Sequence, residues 1–248
     1  MELTDEEILR YNRQIVVPGF NFKAQEKLKF SHVLVVGIGG LGCAALPYLV
    51  SSGIGHITLL DFDTVSLTNL HRQILHSQTD IRLPKIVSAA QKLTLINPDC
   101  KLELINGKLD DNKFAVLIAR HHVILDCTDN IITREQINRL CFQNKIPLVS
   151  GAAIWMQGQL SVFTWKLGEP CYHCISRLFG EQHLSCTETG VIAPLVGVIG
   201  TMQAMETIKV LTEFGTPASS CMLIYDAMHA KFLTVKVMQD KNCEVCTN

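Results

Sequence analysis

The 248-residue sequence lacks several features, and each absence excludes a class of protein. It has almost no net charge, −1 from 22 basic and 23 acidic residues, so it lacks the basic field with which nucleic-acid-binding proteins collect phosphates. Its lysines and arginines are scattered, which argues against a membrane-binding patch. Its acidic first residues carry neither the basic nor the apolar region of a signal peptide, so we expect a cytosolic protein with no nucleic-acid or membrane partner.

One uncharged stretch, 189–205, tests whether the chain crosses a membrane. It is shorter than the roughly 20 residues of a transmembrane helix. Pro194 and several glycines also lower its apolar density. We therefore predict a buried helix, whose small residues allow another helix or a second subunit to approach closely.

The sequence also lacks a low-complexity linker and an internal repeat. With 48% hydrophobic and 18% charged residues, it is long enough to bury a sizeable core. We expect one domain over 1–248, with N-terminal helices in 1–30, a nucleotide-binding part in 31–150 and antiparallel strands in 151–248.

The first 150 residues alternate short apolar strands with helical segments. Thr4 and Glu7 have the spacing of a capping box, which predicts a first helix. The pattern then predicts strands over 33–36, 57–60, 102–104, 123–125 and 148–149. It predicts further helices over 22–30, 84–96, 112–119 and 134–143. This order is typical of a doubly wound, mostly parallel, Rossmann-like α/β sheet. Later segments of alternating polarity predict antiparallel strands that extend the sheet, over 159–164, 223–225 and 232–235.

The first predicted strand runs into a glycine-rich turn, Gly37-Ile38-Gly39-Gly40-Leu41-Gly42. Such a turn lets the backbone approach a phosphate, whose charge the following helix N-terminus favours. Asp61 lies nineteen residues after Gly42, where a carboxylate accepts hydrogen bonds from a ribose. The motif fits NAD and ATP, and by itself favours a dinucleotide. The sequence has no Gly-x-x-x-x-Gly-Lys-Ser/Thr, which excludes a Walker-type NTPase.

A group of charged residues shifts the balance towards ATP. Arg72 and Lys85 suit a triphosphate whose charge must be neutralised as pyrophosphate leaves, and Asp129 is a hard oxygen ligand suited to Mg²⁺. Each also has a simpler interpretation. Arg72 and Lys85 could be solvated surface cations, and Asp129 could cap a helix that begins at Asn130.

Two Cys-x-x-Cys pairs, Cys171/Cys174 and Cys243/Cys246, supply the four sulfur ligands of a tetrahedral structural zinc. A redox-active role is the alternative. We expect His173, which lies inside the first pair, to be a solvent-facing turn residue rather than a ligand. We expect the other cysteines to be small buried hydrophobes, namely Cys43, Cys100, Cys127, Cys141 and Cys221.

These motifs resemble the ThiF/MoeB/HesA group, bacterial relatives of the ubiquitin-activating enzymes, over nearly the whole chain. The shared segments are 10–15, 37–42, 60–63, 69–73, 84–85, 126–130 and both cysteine pairs. Longer strings resemble the molybdopterin branch of the group, at 149–153, 168–174, 177–181 and 225–228.

The resemblance implies an adenylyltransferase of molybdenum cofactor biosynthesis. Its substrate is a small ubiquitin-like sulfur-carrier protein ending in Gly-Gly, the small subunit of molybdopterin synthase. The carrier's terminal carboxylate attacks the α-phosphorus of Mg·ATP and releases pyrophosphate. No general base is needed, because a carboxylate is already ionised at neutral pH. A homodimer and docking of the carrier on 151–248 are also implied. Longer eukaryotic relatives carry a C-terminal rhodanese domain, which we do not expect in this protein, so a separate sulfurtransferase is implied as well.

The resemblance also assigns residues. Arg13, Arg72, Lys85 and Asp129 receive catalytic roles, with Arg13 reaching the partner's site and Asp129 holding Mg²⁺. The nucleotide-binding set is Gly37, Gly39, Gly40, Gly42, Asp61, Thr68, Asn69, Leu70, His71, Arg72, Lys85, Asp129 and Asn130. One structural zinc per subunit is implied for the four paired cysteines.

Three residues in or near these motifs are not expected to act in the chemical step itself. His71 and His76 are expected to be polar loop residues rather than bases. Cys186 lies in a polar loop where related enzymes place a thioester-forming cysteine, and we expect it to be non-essential in this branch.

Other functions stay open at this point. The same reaction on the thiamine-pathway carrier would use the same adenylation residues. An NAD-dependent oxidoreductase with a structural zinc fits the glycine turn and Asp61 but leaves Arg72, Lys85 and Asp129 unexplained. A non-catalytic scaffold is the remaining alternative.

Overall fold

The computed structural model describes residues 2–177 and 190–247. Its helices are α1 (Asp5–Ile15), α2 (Asn21–Lys29), α3 (Gly40–Ser51), α4 (Lys85–Ile96), α5 (Asp111–Ile118), α6 (Ile131–Asn144), α7 (Tyr172–Ser176) and α8 (Ala193–Thr212). Its strands are β1 (His32–Val36), β2 (His56–Leu60), β3 (Lys101–Ile105), β4 (Val123–Asp126), β5 (Leu148–Ile154), β6 (Gln157–Phe163), β7 (Cys221–Asp226) and β8 (Lys231–Lys236).

The strands form an eight-stranded sheet in the order β3-β2-β1-β4-β5-β6-β7-β8. Pairing is parallel from β3 to β5 and antiparallel from β5 to β8. This confirms the predicted doubly wound sheet with an antiparallel extension. The strand order reverses between β1 and β4, and the crevice at their carboxyl ends is where ligands bind in sheets of this kind.

Both faces of the parallel part are covered. Val33 and Val35 of β1 point to one apolar cluster, which includes residues of α3 and α8, while Leu34 and Val36 point to another, which includes residues of α5 and α6. Burial on both faces explains why these strands are continuous apolar runs in the sequence.

The predicted buried helix of 189–205 corresponds to α8, which begins at Ala193 and continues to Thr212. It packs on α3 so closely that a Cβ on Gly200 would lie 2.4 Å from the carbonyl oxygen of Leu41. Gly200 therefore serves a contact within the chain. No helix among the described residues is long and apolar enough to span a membrane.

Several local expectations were close but incomplete. The capping box of α1 is present, with the Thr4 N–H donating to Glu7 Oε2 at 2.7 Å and the Glu7 N–H to Thr4 Oγ1 at 3.2 Å. β5 continues to Ile154, well beyond the predicted 148–149, because it pairs with β6 along its whole length. The prediction of a buried Cys221 was wrong, since this residue is partly exposed at the start of β7.

Candidate functional site

The glycine turn connects β1 to α3 and is too tight for side chains at two positions. Gly37 has φ +92°, and a Cβ there would lie 2.7 Å from the carbonyl oxygen of Cys127. A Cβ on Gly42 would lie 2.2 Å from the carbonyl oxygen of Gly37. Gly39 is the N-cap of α3 and offers no side-chain cap, so the first amides of the helix stay available to an anion. Gly40 lies against Val196 of α8.

Asp61 follows β2 and holds this turn in place. Its Oδ2 accepts a hydrogen bond from the Ile38 N–H at 2.6 Å, and its Oδ1 accepts one from the Asp63 N–H at 2.8 Å. Burial raises the pKa of this carboxyl group, while the Lys85 charge and both N–H donors oppose that rise. Asp61 therefore has a structural task at the turn, and its contact with a ribose stays a prediction.

Lys85, the first residue of α4, is buried and paired. The residue is 6% exposed, and Nζ lies 2.8 Å from Asp63 Oδ2. The backbone N–H of Lys85 also donates to the Asp63 carbonyl oxygen at 2.9 Å. The alternative of a solvated surface lysine is therefore wrong for this residue. The positive charge of Lys85 also acts on Asp61 and opposes the rise that burial causes in the pKa of that carboxyl group.

The predicted binding residues between β2 and α4 lie in a loop with its own hydrogen bonds. Asn69 Oδ1 accepts from the Ser66 N–H at 3.2 Å, and the Asn69 carbonyl oxygen accepts from the Arg72 N–H at 3.1 Å. The Arg72 guanidinium, which is half-buried, donates to the Thr68 carbonyl oxygen at 3.1 Å and to His71 Nε2 at 2.8 Å. The Arg72 side chain is thus held against the backbone of this loop. Leu70, another predicted binding residue, lies in the same loop between Asn69 and His71.

The loop after β4 is fixed by a buried ion pair. Asp126 Oδ2 lies 3.4 Å from Arg134 Nη1 and accepts the Ser150 hydroxyl at 2.8 Å. Its Oδ1 accepts from the Thr128 N–H at 3.0 Å. Arg134 also donates to the carbonyl oxygens of Thr128 and Gly151. The sequence did not identify Arg134, because an arginine on a helix gives no signal of its burial.

Asp129 and Asn130, two predicted binding residues at the end of this loop, have different local roles. Asn130 is the N-cap of α6, and its Oδ1 accepts from the Thr133 N–H at 2.9 Å. The alternative of Asp129 as the cap is therefore wrong. Asp129 is exposed and forms no hydrogen bond or ion pair with any residue that the structure describes. Its carboxylate is available to a metal ion.

Gln203 of α8 supports the same edge of the sheet from behind. It is fully buried, and its Nε2 donates to the carbonyl oxygens of Asp126 at 2.8 Å and Val149 at 3.3 Å. The sequence signal for this role was a glutamine in a mostly apolar helix, and it was not recognised.

His76 differs from its expected place in a polar loop. It is buried, with Nδ1 2.9 Å from Ser88 Oγ and Nε2 3.3 Å from the Ile38 carbonyl oxygen in the glycine turn. Burial lowers its pKa. His76 therefore supports the turn as a neutral group, while His71 is exposed as expected.

The structure brings most of the predicted nucleotide-binding residues to one edge of the sheet. Contacts join the glycine turn to Asp61, Asp63 to Lys85, and Gly37 to the loop that leads to Asp129 and Asn130.

Arg13 does not join this group. It is exposed on α1, and the nearby Tyr11 lies against Gly53, beyond the other end of α3 from the turn.

The four paired cysteines converge in a separate cluster. Their sulfur atoms all lie within 4.8 Å of one another, and the Cys171–Cys243 and Cys174–Cys246 pairs are each separated by 3.6 Å. A tetrahedral zinc with bonds of about 2.3 Å requires sulfur separations of about 3.8 Å. The donor set therefore fits zinc.

Groups around the cluster also fit bound thiolates. The Asp240 N–H donates to Cys174 Sγ at 3.4 Å, and Gln239 Nε2 to Cys246 Sγ at 3.5 Å. His173 is not a ligand in this arrangement, because its Nδ1 lies 3.2 Å from Glu135 Oε2. Cys186 lies outside the described residues.

Asn138 links α6 to this cluster. It is fully buried, and its Oδ1 accepts from the Tyr172 N–H at 2.9 Å, between the first two cysteines. Its Nδ2 has no hydrogen-bond partner among the described residues. The Asn138 side chain also lowers the pKa of the Cys171 thiol, against the larger upward effect of burial.

Comparisons with known proteins cover nearly the whole chain. A family model described as the ThiF family matches residues 11–246. A molybdopterin-synthase adenylyltransferase of Escherichia coli K12 is 58% identical over 245 residues, which are 99% of this chain and 98% of that protein. The protein of the same name from Haemophilus influenzae is 49% identical over 237 residues, 96% of this chain and 98% of its own length.

More distant relatives are longer. An adenylyltransferase and sulfurtransferase of Drosophila persimilis is 40% identical over 249 residues, which cover 99% of this chain and 55% of that protein. The structure of E. coli MccB with ATP superposes with a TM-score of 0.82 at 21% identity, over 96% of this chain and 74% of that one. This likeness supports the fold.

Proposed function

The chain belongs to the ThiF family, and on that premise we propose that it adenylates the C-terminal glycine of a small sulfur-carrier protein in molybdenum cofactor biosynthesis. Relatives at 49–58% identity over nearly their full length carry the name molybdopterin-synthase adenylyltransferase. The single observation that carries the proposal is that an uncapped helix N-terminus, a buried lysine and an aspartate without a partner among the described residues lie at one edge of the sheet.

The geometry suits attack by a carboxylate on a nucleotide. The phosphates bind at the N-terminus of α3, where free amides and the helix dipole favour negative charge. An oxygen of the carrier's terminal carboxylate attacks the α-phosphorus, and the bond between that phosphorus and the bridging oxygen to the β-phosphorus breaks. Negative charge then accumulates on the leaving pyrophosphate, and Lys85 and Arg72 neutralise it.

Two metal ions belong to this proposal. Asp129 would hold Mg²⁺, which would neutralise charge on the phosphates. Its carboxylate is exposed and has no partner in 2–177 or 190–247, which supports that role. Zinc would be held by Cys171, Cys174, Cys243 and Cys246 and would serve structure alone, because four thiolates leave no open coordination position.

A homodimer is also part of the proposal. Arg13 lies beyond the opposite end of α3 from the glycine turn, so its predicted catalytic role requires the site of a second subunit. We propose further that 1–248 forms one domain, supported by the continuous sheet from β3 to β8, and that 151–248 docks the carrier. A cytoplasmic location and a separate sulfurtransferase complete the proposal.

Isotope exchange between ATP and pyrophosphate tests this function. The purified protein is assayed with a carrier of the molybdopterin pathway, with a carrier of the thiamine pathway, and with each carrier lacking its last glycine. We expect exchange with the intact molybdopterin carrier alone. Exchange only with the thiamine carrier would keep the chemistry and change the pathway. Exchange with neither carrier would contradict the proposal and favour a dinucleotide-dependent enzyme or a scaffold.

A further inference from the structure

Gln73 carries an unpaired amide beside the glycine turn. Its backbone N–H donates to the Asn69 carbonyl oxygen at 3.0 Å, which fixes the start of its side chain. The residue is 2% exposed, and its Oε1 is buried without a hydrogen-bond partner among the described residues. Its Nε2 lies 3.7 Å from the point that a Cβ on Gly39 would occupy. The amide therefore lies next to the residue that begins α3.

This arrangement is unusual for a buried amide. Buried polar groups in native proteins nearly always have a partner, because an unpaired one has lost its hydrogen bonds to water without replacing them. The buried Gln203 meets this requirement with two carbonyl oxygens. The Gln73 side chain forms no hydrogen bond with any residue that the structure describes, so its Nε2 is available to donate to a ligand.

The surroundings indicate the chemistry of that ligand. The amides at the N-terminus of α3 attract an anion, and Lys85 adds a positive charge near the same turn. A side-chain N–H₂ group next to Gly39 donates hydrogen bonds to the same kind of oxygen. A side-chain carboxylate or carbonyl oxygen at this position would instead repel an anion.

We propose that Gln73 is a substrate-binding residue whose Nε2 donates a hydrogen bond to an anionic substrate oxygen held at the N-terminus of α3. The inference rests on the proposed function, in which that oxygen belongs either to a nucleotide phosphate or to the carrier's terminal carboxylate. It adds a side-chain donor to a cradle otherwise made of backbone amides and charged residues.

Two substitutions separate this role from a purely structural one. Gln73→Met keeps the length of the side chain and removes the donor, and Gln73→Glu replaces the amide with a negative charge of the same shape. Gln91→Met and Gln91→Glu make the same changes at an exposed position of α4 and are the matched controls. Full-length proteins are compared by titration calorimetry with Mg·ATP, by carrier-dependent exchange and by thermal unfolding.

The expected effect of Gln73→Met is a loss of about 10- to 100-fold in exchange, the range for a hydrogen bond to a charged group. Gln73→Glu loses more, because it also repels the anion. Gln73→Met unfolds at the same or a higher temperature than the unchanged protein, because it removes a buried unpaired oxygen. A merely structural glutamine would lose stability together with activity.

The two assays also identify the oxygen. Weaker Mg·ATP binding assigns the hydrogen bond to a phosphate, whereas unchanged Mg·ATP binding with lost exchange assigns it to the carrier. Exchange and Mg·ATP affinity within about twofold of the unchanged protein in both Gln73 variants would overturn the inference, and so would a parallel loss of stability and activity. If the unchanged protein shows no exchange with either carrier, the proposed function fails, while Mg·ATP binding still tests Gln73.

Discussion

Cys171, Cys174, Cys243 and Cys246 face one another within 4.8 Å, whereas the helix N-terminus at the glycine turn has no side chain from the described part of the protein to cap it. In the cysteine cluster, the sulfur atoms also accept N–H groups from Asp240 and Gln239. At the turn, α3 has no side-chain cap, and the Asp129 carboxylate has no partner among the described residues. A site that holds one ion permanently closes around it, while a site that exchanges substrates must keep donors and acceptors available.

Helix α6 connects the two regions. It begins at the cap Asn130, next to Asp129, and its first turns carry Arg134, which fixes the loop after β4. Farther along, Asn138 contacts the backbone of Tyr172 between the first two cysteines. The open region at the glycine turn and the closed region at the four cysteines thus share one rigid helix. Substitutions can show how independent the two regions are.

The largest expected effect is the loss of a zinc ligand. Cys243→Ser should abolish stoichiometric zinc and lower the free energy of unfolding by about 4 kcal/mol or more, the scale of a lost metal site. Metal analysis and denaturant unfolding measure both changes. Cys221→Ser, outside the cluster and partly exposed, is the control and should change neither. Purified protein without zinc, with both pairs oxidised, would instead support the redox interpretation.

The next effect concerns the open region. Arg72→Ala or Lys85→Ala should lower carrier-dependent exchange between ATP and pyrophosphate at least ~100-fold, because each removes a contact to developing charge. Lys92→Ala is the control, since Lys92 is a more exposed lysine on the same helix as Lys85 and pairs with Asp80 at 3.5 Å. Zinc content should stay unchanged in all three variants. Exchange at the unchanged rate would remove Arg72 and Lys85 from the site.

The sequence was sufficient to predict the parts of both regions that depend on local motifs. The glycine turn, Asp61 and the cysteine pairs each follow from spacing, and the order of strands and helices predicted the sheet. Arg72 and Lys85 were identified by residue type and position, but the burial of Lys85 and its pairing with Asp63 depend on how α4 packs against the preceding loop.

Other residues could not be found in this way. Gln73, Arg134, Asn138 and Gln203 are polar residues with no distinctive spacing, and their roles depend on which side of a helix or loop faces the core. The sequence offered Asp129 as the cap of α6, whereas the cap is Asn130, because either residue type can accept the N–H of the first turn.

A smaller effect would test the connection through α6. Asn138→Leu should accelerate the release of zinc to a chromogenic chelator about 10-fold, the lower end of the range for groups that support metal ligands. The substitution removes a buried amide whose side chain lowers the pKa of the Cys171 thiol. Gln143→Leu, an exposed change on the same helix, is the control. Equal release rates in the two variants would mean that the cluster is independent of α6.

The smallest effect concerns pH and the support of the glycine turn. Burial lowers the pKa of His76 in the folded protein, so its contribution to stability is present above the pKa of an unfolded histidine and is lost as the pH falls below it. His76→Gln should therefore show a smaller decrease in unfolding free energy between pH 7.5 and pH 5.5, as measured by denaturant titration. The exposed His71→Gln is the control. Because every variant keeps the cysteine cluster, competition of protons with zinc cancels in the comparison. An unchanged pH dependence in His76→Gln would mean that protonation of the imidazole does not destabilise the glycine turn. The open region would then tolerate a positive charge beneath Ile38.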